Sequence, residues 1–284
     1  MRPDHSQHVR LFYDETLWLV AHFWTDQKVL AAHVGYWETN TRNDHEAQAN
    51  MNRILAERAA IQPGERVLDA GCGMGGSALW LVENRGAYVF GVTLSLSQAR
   101  LAVRTAARRH LSDQTSFSLQ DYSATAFPDE TFDVVWAIES VCYAPAKSAF
   151  FEEALRVLRP GGRLILSDGF RRARGYAEAD ERLMRRWLDD WALLDVDTPN
   201  EFVAKACAAG FTDIRFDDVT DHIRASVDRL HRLSHWTARL GSALCRVGLL
   251  SPVVARAMWA NDATYDVIGG GLSIYGIMSA EKPR

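Results

Sequence analysis

Hydrophobic and polar positions alternate along this chain in two rhythms. Residues 10–32 place Leu11, Phe12, Trp18, Leu19 and Phe23 on a broad helical face, ahead of an Ala-Ala-His-Val-Gly-Tyr-Trp loop. A second helix is predicted from Asp44 to Ile61, stopped by Gln62-Pro63-Gly64. Short apolar runs then alternate with helical patterns. Strands are predicted at 66–70, 87–94, 115–120, 132–138 and 163–168, with helices at 75–85, 95–111 and 146–158. Strands separated by helices of this length imply an α/β fold, a parallel sheet covered by helices on both faces.

Two stretches break the rhythm. Residues 170–195 read as a charged helix with Leu183, Trp187, Leu188, Trp191 and Leu194 at three-to-four spacing. Thr198-Pro199-Asn200-Glu201 is a capping box opening a helix that ends at Gly210, before a strand at 211–219. Residues 222–263 read as one or two helices divided at Ser251-Pro252, and Leu272 onward as a final strand.

Composition excludes several classes. At 48% hydrophobic and 24% charged, the 284 residues suit a folded globule rather than a disordered chain. A net charge of −4 argues against nucleic-acid binding. No uncharged apolar run reaches the roughly 18 residues of a membrane span. The start of the sequence, Met1 to Arg10, has no apolar signal core, and Cys72, Cys142, Cys207 and Cys245 are too scattered for a redox or zinc motif. A cytoplasmic location with reduced thiols is the expectation. Nine Trp, eight Tyr and twelve Phe form a large aromatic inventory, which serves either a heavy core or an apolar pocket.

The most informative residues are Val67 to Gly76, where a strand runs into glycines and a helix begins. Glycines let a ligand approach the backbone, and the helix start presents free N–H groups. Gly71, Gly73 and Gly76 satisfy a dinucleotide fingerprint, so a nicotinamide-dependent oxidoreductase is one reading. Asp69 tells against it, since a carboxylate beside the helix start repels a pyrophosphate and favours an ammonium or a sulfonium. The next strand also ends Gly91-Val92-Thr93-Leu94, without the acid that holds ribose hydroxyls in such enzymes.

Val-Leu-Asp-Ala-Gly-Cys-Gly-Met-Gly-Gly resembles the first motif of class I S-adenosylmethionine-dependent methyltransferases. The segments at 91–98 (GVTLSLSQ), 120–122 (QDY), 137–145 (AIESVCYAP) and 158–164 (LRPGGRL) match later motifs in order. The resemblance spans roughly residues 30–220. Within that superfamily the chain is similar to the tocopherol, sterol and terpenoid C-methyltransferases and, more loosely, to the cyclopropane fatty acid synthases. The resemblance implies a Rossmann-like, seven-stranded, mostly parallel sheet ordered 3-2-1-4-5-7-6. It also implies an amino-terminal lid over 1–43, a methyltransferase domain over 44–284, and substrate-cap segments at 170–197 and 220–265.

The same resemblance implies S-adenosyl-L-methionine as cofactor. Asp69, Gly71, Gly73 and Gly75 would hold its methionine part, and Thr93, Leu94 and Gln98 its ribose. Asp121 and Tyr122 would edge the adenine, Ile138 would lie near the methionine, and Tyr36 and Trp37 would close a lid. Gln98 is equally readable as a capping-box partner of Ser95.

Methyl transfer from a sulfonium asks the protein to align the reactants, exclude water and dispose of a proton. Glu139, after the fourth strand, is the expected catalytic carboxylate, with Tyr143 and Tyr13 beside it. Methylating an alkene leaves a carbocation that aromatic faces stabilise. Trp24, His33, Trp187, Trp191, His222 and Tyr275 are the expected substrate contacts. His231 and His235 share a helix face and read as surface or interhelical groups. Six Arg against two Asp over 222–262 permit an anionic substrate, a solvated face or a subunit contact, and a homo-oligomer is compatible with the sequence.

No metal is called for. The reading is C-methylation of a small lipophilic metabolite, an isoprenoid or prenyl alkene of natural-product biosynthesis, with carbocation-driven cyclisation as an extension by analogy with the teleocidin-type methyltransferases. The alternatives are O- or N-methylation of a polyketide, sugar or amine, an NAD(P)-dependent oxidoreductase, and a cofactor-binding protein without catalysis.

Overall fold

A computed structural model describes residues 5–20 and 30–284. Its sheet has seven strands, β1 (Arg66–Ala70), β2 (Tyr88–Thr93), β3 (Thr115–Leu119), β4 (Phe132–Ile138), β5 (Leu158–Arg171), β6 (Thr212–Asp218) and β7 (Ser273–Glu281). They lie in the order β3-β2-β1-β4-β5-β7-β6. The first five are parallel, and β7 runs antiparallel to both β5 and β6. The parallel α/β fold is the one the strand–helix rhythm implies, and the strand order is the one the methyltransferase resemblance implies.

Nine helices are described: α1 (His5–Leu19), α2 (Asp44–Arg58), α3 (Gly76–Arg85), α4 (Leu96–Arg108), α5 (Lys147–Val157), α6 (Glu178–Asp190), α7 (Pro199–Ala209), α8 (Thr220–Arg246) and α9 (Pro252–Gly269). One sheet face buries Phe150 and Phe151 of α5 with Phe202 of α7, and the other buries Met51, Leu55, Ala78 and Leu81 of α2 and α3 with Ile223 of α8. Continuous apolar strands such as β4, with Trp136 fully buried, are what a sheet covered on both sides requires. The Thr198–Glu201 capping box forms as the sequence predicts, and Ser251 caps α9 beside its Pro252.

One boundary differs. β5 runs on to Arg171, so the helix expected from 170 begins only at Glu178, because β7 pairs with β5 as far as Arg171↔Ser273. The division expected at Ser251-Pro252 is present: α8 is a single helix of 27 residues ending at Arg246, and α9 begins at Pro252. Together α6, α8 and α9 stand over the carboxyl ends of β4 and β5, and α1 joins them: Val9, Met184, Trp187, Ala263 and Val267 form one buried cluster with Tyr143. No helix among the described residues is long and apolar enough to cross a membrane.

The turn after β4 is tied to this cap by one buried amine. Lys147 Nζ donates to the carbonyls of Cys142, Ala144 and Asp195, each at 2.9 Å. Burial lowers its pKa from the usual lysine value, yet three carbonyl acceptors fit an ammonium. Lys147→Met should therefore destabilise the protein by roughly 2–4 kcal/mol, since it strands buried acceptors. Denaturant unfolding of the two proteins measures it, and an unchanged midpoint would rule the tie out.

Candidate functional site

Two connected chambers lie at the carboxyl ends of the parallel strands, where open α/β sheets bind ligands. The first sits above β1 and β2. Gly71 has φ +93°, and a Cβ there would lie 2.4 Å from Ser140 Cβ. Only glycine permits that approach, which Ser140 Oγ uses to donate to the Ala70 carbonyl at 2.6 Å. Gly73, at φ +51°, faces open space: the nearest atom to a Cβ there is Gln98 Nε2, 3.9 Å away. A ligand can thus lie directly on the backbone at Gly73.

Asp69 is the chamber's electrostatic feature. It is buried, its Oδ2 has no hydrogen-bond partner among the described residues, and burial pushes its pKa up to about 7. An orphaned carboxylate oxygen fits an incoming cation such as the α-ammonium of a methionine group. Thr93 Oγ1 donates to Gln98 Oε1 at 2.8 Å, which turns the Gln98 amide nitrogen toward the glycine turn. Ser95 accepts from the Gln98 N–H, but the Gln98 side chain does not return to Ser95, so only half a capping box forms.

Asp69, Gly71, Gly73, Thr93, Leu94, Gln98, Asp121, Tyr122 and Ile138 all line this chamber, together with Ser6, Val9 and Arg10 of α1. Tyr122 donates to the Ser140 carbonyl at 2.7 Å. These residues fit S-adenosylmethionine, with the unpaired Asp69 oxygen and the open Gly73 backbone as the fitting features.

The second chamber lies under the cap and shares Tyr13, Ala32, His33, Glu139 and Tyr143 with the first. Glu139 follows β4 directly, with a left-handed φ of +48°, an uncommon state for a non-glycine residue. Its Oε1 accepts from the Val34 N–H at 2.9 Å and from the Tyr275 hydroxyl at 2.9 Å. Among the described residues Oε2 accepts nothing from the protein. The group keeps some exposed area because it borders both chambers. Even so, it lies deep in the protein, and desolvation pushes its pKa up to about 7 against those two hydrogen bonds.

The walls of this chamber are rings: Phe12, Tyr13, Tyr143, Trp187, Trp191 and Tyr275. Tyr13 and Tyr143 meet edge to face with centroids 5.4 Å apart. Both Trp187 and Trp191 donate their indole N–H to Thr264 Oγ1, at 3.1 and 2.9 Å, which locks the two rings against α9. His33 is held neutral, since burial lowers its pKa to about 4. Its Nδ1 meets the Val34 carbonyl and its Nε2 the Ser77 hydroxyl. A carbonyl can only accept, so the proton belongs on Nδ1.

Several expected contacts fall elsewhere. Tyr36 stacks on His222 with centroids 4.1 Å apart and an interplanar angle of 13°, and the Trp37 indole donates to Ser226 Oγ. The Trp37 N–H also donates to the His222 carbonyl, and the His222 Nδ1 meets the Trp37 carbonyl at 2.9 Å. Residues 36 and 37 therefore brace α8 instead of closing over the cofactor chamber, and none of Tyr36, Trp37 and His222 lines either chamber. Gly75 is a left-handed turn packed on Ala102 and Phe117, not a lining residue. Trp24 lies outside the described residues. His231 and His235 are interhelical, facing Asp262 of α9.

The sequence reading missed Asp168, Asp44 and Arg229. Asp168 ends the inner part of β5, lines the second chamber and accepts the N–H groups of Cys142 and Gly169, each at 2.9 Å. Burial raises its pKa above the usual carboxylate range. Its place beside Glu139 at the end of the neighbouring strand was the available signal. Arg229, the one cation lining this chamber among the described residues, is paired with Asp44.

The family model of mycolic acid cyclopropane synthetase matches residues 3–260. Methyltransferase GfsG of Streptomyces halstedii is 38% identical over 165 residues, covering 57% of this chain and 58% of that protein's length. A probable chloroplastic tocopherol O-methyltransferase of Oryza sativa subsp. japonica is 32% identical over 271 residues, covering 90% of this chain and 71% of its own. The crystal structure of the [4+2]-cyclase SpnF superposes with a TM-score of 0.79 at 27% identity, covering 98% of this chain and 96% of the other. With its motifs, its strand order and a family match over most of its length, the chain belongs to the mycolic acid cyclopropane synthetase family of S-adenosylmethionine-dependent methyltransferases.

Proposed function

We propose that this protein transfers a methyl group to carbon on a small, uncharged lipophilic acceptor, an isoprenoid or prenyl alkene. The observation that carries this reading is the second chamber: rings on most sides, a carboxylate at its junction with the cofactor chamber and, among the described residues, no unpaired cation for an anionic head group. Glu139, Asp168 and Asp44 border it, while Arg229 is committed to Asp44. A diphosphate or other anion would face net negative charge there. A neutral alkene would not, and the positive charge that develops on it would meet ring faces and carboxylates.

S-adenosylmethionine, when bound, supplies an electrophilic methyl group. Asp69, Gly71, Gly73, Thr93, Leu94, Gln98, Asp121, Tyr122 and Ile138 would hold it, and everything else falls to the chain's own side chains. Trp187 and Trp191, fixed through Thr264, orient the acceptor and keep water out. Tyr13 and Tyr143 narrow the opening between the chambers. Glu139 Oε2 takes the proton that the methylated carbon skeleton must lose, while Val34 and Tyr275 hold Oε1 in place.

Asp69→Asn should weaken S-adenosylhomocysteine binding about 10- to 100-fold by calorimetry, the range for a hydrogen bond to a charged group. Equal affinity would remove Asp69 from the cofactor site. Because protonated Glu139 cannot accept a proton, kcat/KM should fall as pH drops through about 7. Glu139→Gln should lose roughly 100-fold or more in turnover with cofactor affinity retained, and should flatten that acidic limb. Full turnover in this variant would exclude the role. Transfer of an isotopically labelled methyl to a panel of prenylated acceptors, read by NMR, tests the acceptor atom. Label on oxygen or nitrogen would sink the carbon-methylation reading.

A further inference from the structure

The cap carries a second constellation, outside both chambers and unused by the methyl-transfer chemistry. His231 and His235 are one turn apart on α8, and Asp262 of α9 faces both. His231 Nδ1 lies 2.7 Å from Asp262 Oδ1 and His235 Nδ1 lies 3.4 Å from Asp262 Oδ2. All three candidate ligand atoms fall within 4.8 Å of one another. We propose that His231, His235 and Asp262 form a binding site for a divalent transition metal, of the zinc type, that clamps α8 to α9.

Four observations support it. Two imidazoles at i and i+4 present the same ring nitrogen to the two oxygens of a single carboxylate, and two such nitrogens with one carboxylate are a zinc-type donor set. A tetrahedron with metal–ligand bonds of about 2.0 Å has edges of about 3.3 Å, so side-chain rotations that draw these atoms, all within 4.8 Å, to that spacing would admit an ion.

His235 Nδ1 is buried and has no hydrogen-bond partner among the described residues, an unmet valence that a metal would satisfy. Finally, the His231 ring is stacked on Tyr265, with centroids 4.1 Å apart and an interplanar angle of 13°, which fixes its plane before any ion arrives.

The Asp262 carboxylate is buried between the helices, whereas both imidazoles are partly exposed, so an ion can enter from solvent. Three protein ligands leave a fourth position for water. The site sits on the outer side of the cap: neighbouring Leu230 and Asn261 line the acceptor chamber, but His231, His235 and Asp262 do not. Loading would therefore stiffen the chamber wall without contributing a reacting group.

The full chain, stripped with chelator, should bind about one equivalent of Zn²⁺ by calorimetry, and Co²⁺ in its place should give visible d–d bands. At a hundredfold excess over Kd, Zn²⁺ should raise Tm by about 5 °C. His235→Ala removes a partly exposed imidazole whose Nδ1 makes no hydrogen bond among the described residues and meets Asp262 only at 3.4 Å, so its metal-free Tm should stay within about 2 °C of wild type. It should nevertheless bind Zn²⁺ at least tenfold more weakly and lose the Zn²⁺-dependent rise. Asp262→Asn, which keeps the side-chain shape, should lose the same rise. Absence of Zn²⁺ binding to the wild-type chain would overturn the proposal. So would binding and a Tm shift that persist undiminished in both variants.

Discussion

Burying a carboxylate without a counter-ion is the constraint around which this structure is organised. Glu139 ends β4 in a left-handed backbone conformation, and its own N–H donates to the Ser167 carbonyl of β5 at 2.9 Å. Its side chain is then addressed by Val34, 105 residues earlier, and by Tyr275, 136 residues later. Sheet, amino-terminal segment and final strand converge on one oxygen. The other oxygen accepts no hydrogen bond among the described residues, and the proton affinity of the group is raised toward neutrality by lost solvation.

The same economy governs the surroundings. Asp168 spends its oxygens on the backbone of Cys142 and Gly169, which shapes the turn after β4, and Lys147 fixes that turn from the other side through three carbonyls. Arg229 neutralises Asp44. The polar groups bordering the acceptor chamber are thus largely occupied with holding each other or the chain, and the surface left for an acceptor is aromatic. Thr264 extends this logic. One hydroxyl satisfies two indole N–H groups, so two large rings can be buried with their polar edges met and their faces free.

Local sequence signals were legible wherever local physics dictates structure. The glycine turn, the caps at Ser95, Thr198 and Ser251, and the strand–helix rhythm rest on contacts a few residues apart, and the elements predicted from them are present. The left-handed state of Gly71 and the line Asp69, Thr93, Gln98 follow from the same stretches. Errors came where pairing over long range wins. β7 extends β5 past Phe170, and the loop at Tyr36–Trp37 is captured by His222 and Ser226 of α8, away from the cofactor chamber.

By itself the sequence determined the parallel α/β fold, the glycine turn after β1 and the carboxylate after β4, because each is written in contiguous residues whose backbone preferences and periodicity are local, whereas the strand order followed from the family resemblance alone. Only the tertiary structure decided which aromatic residues line the second chamber, that its one arginine among the described residues is paired, and that His231 and His235 meet Asp262. Those outcomes depend on how α1, α6, α8 and α9 pack together, with residues as much as 236 positions apart in contact, as Ser251 and Glu15 are. Side-chain direction across such a packed cap is set by the neighbours it meets, and no periodicity along the chain encodes them.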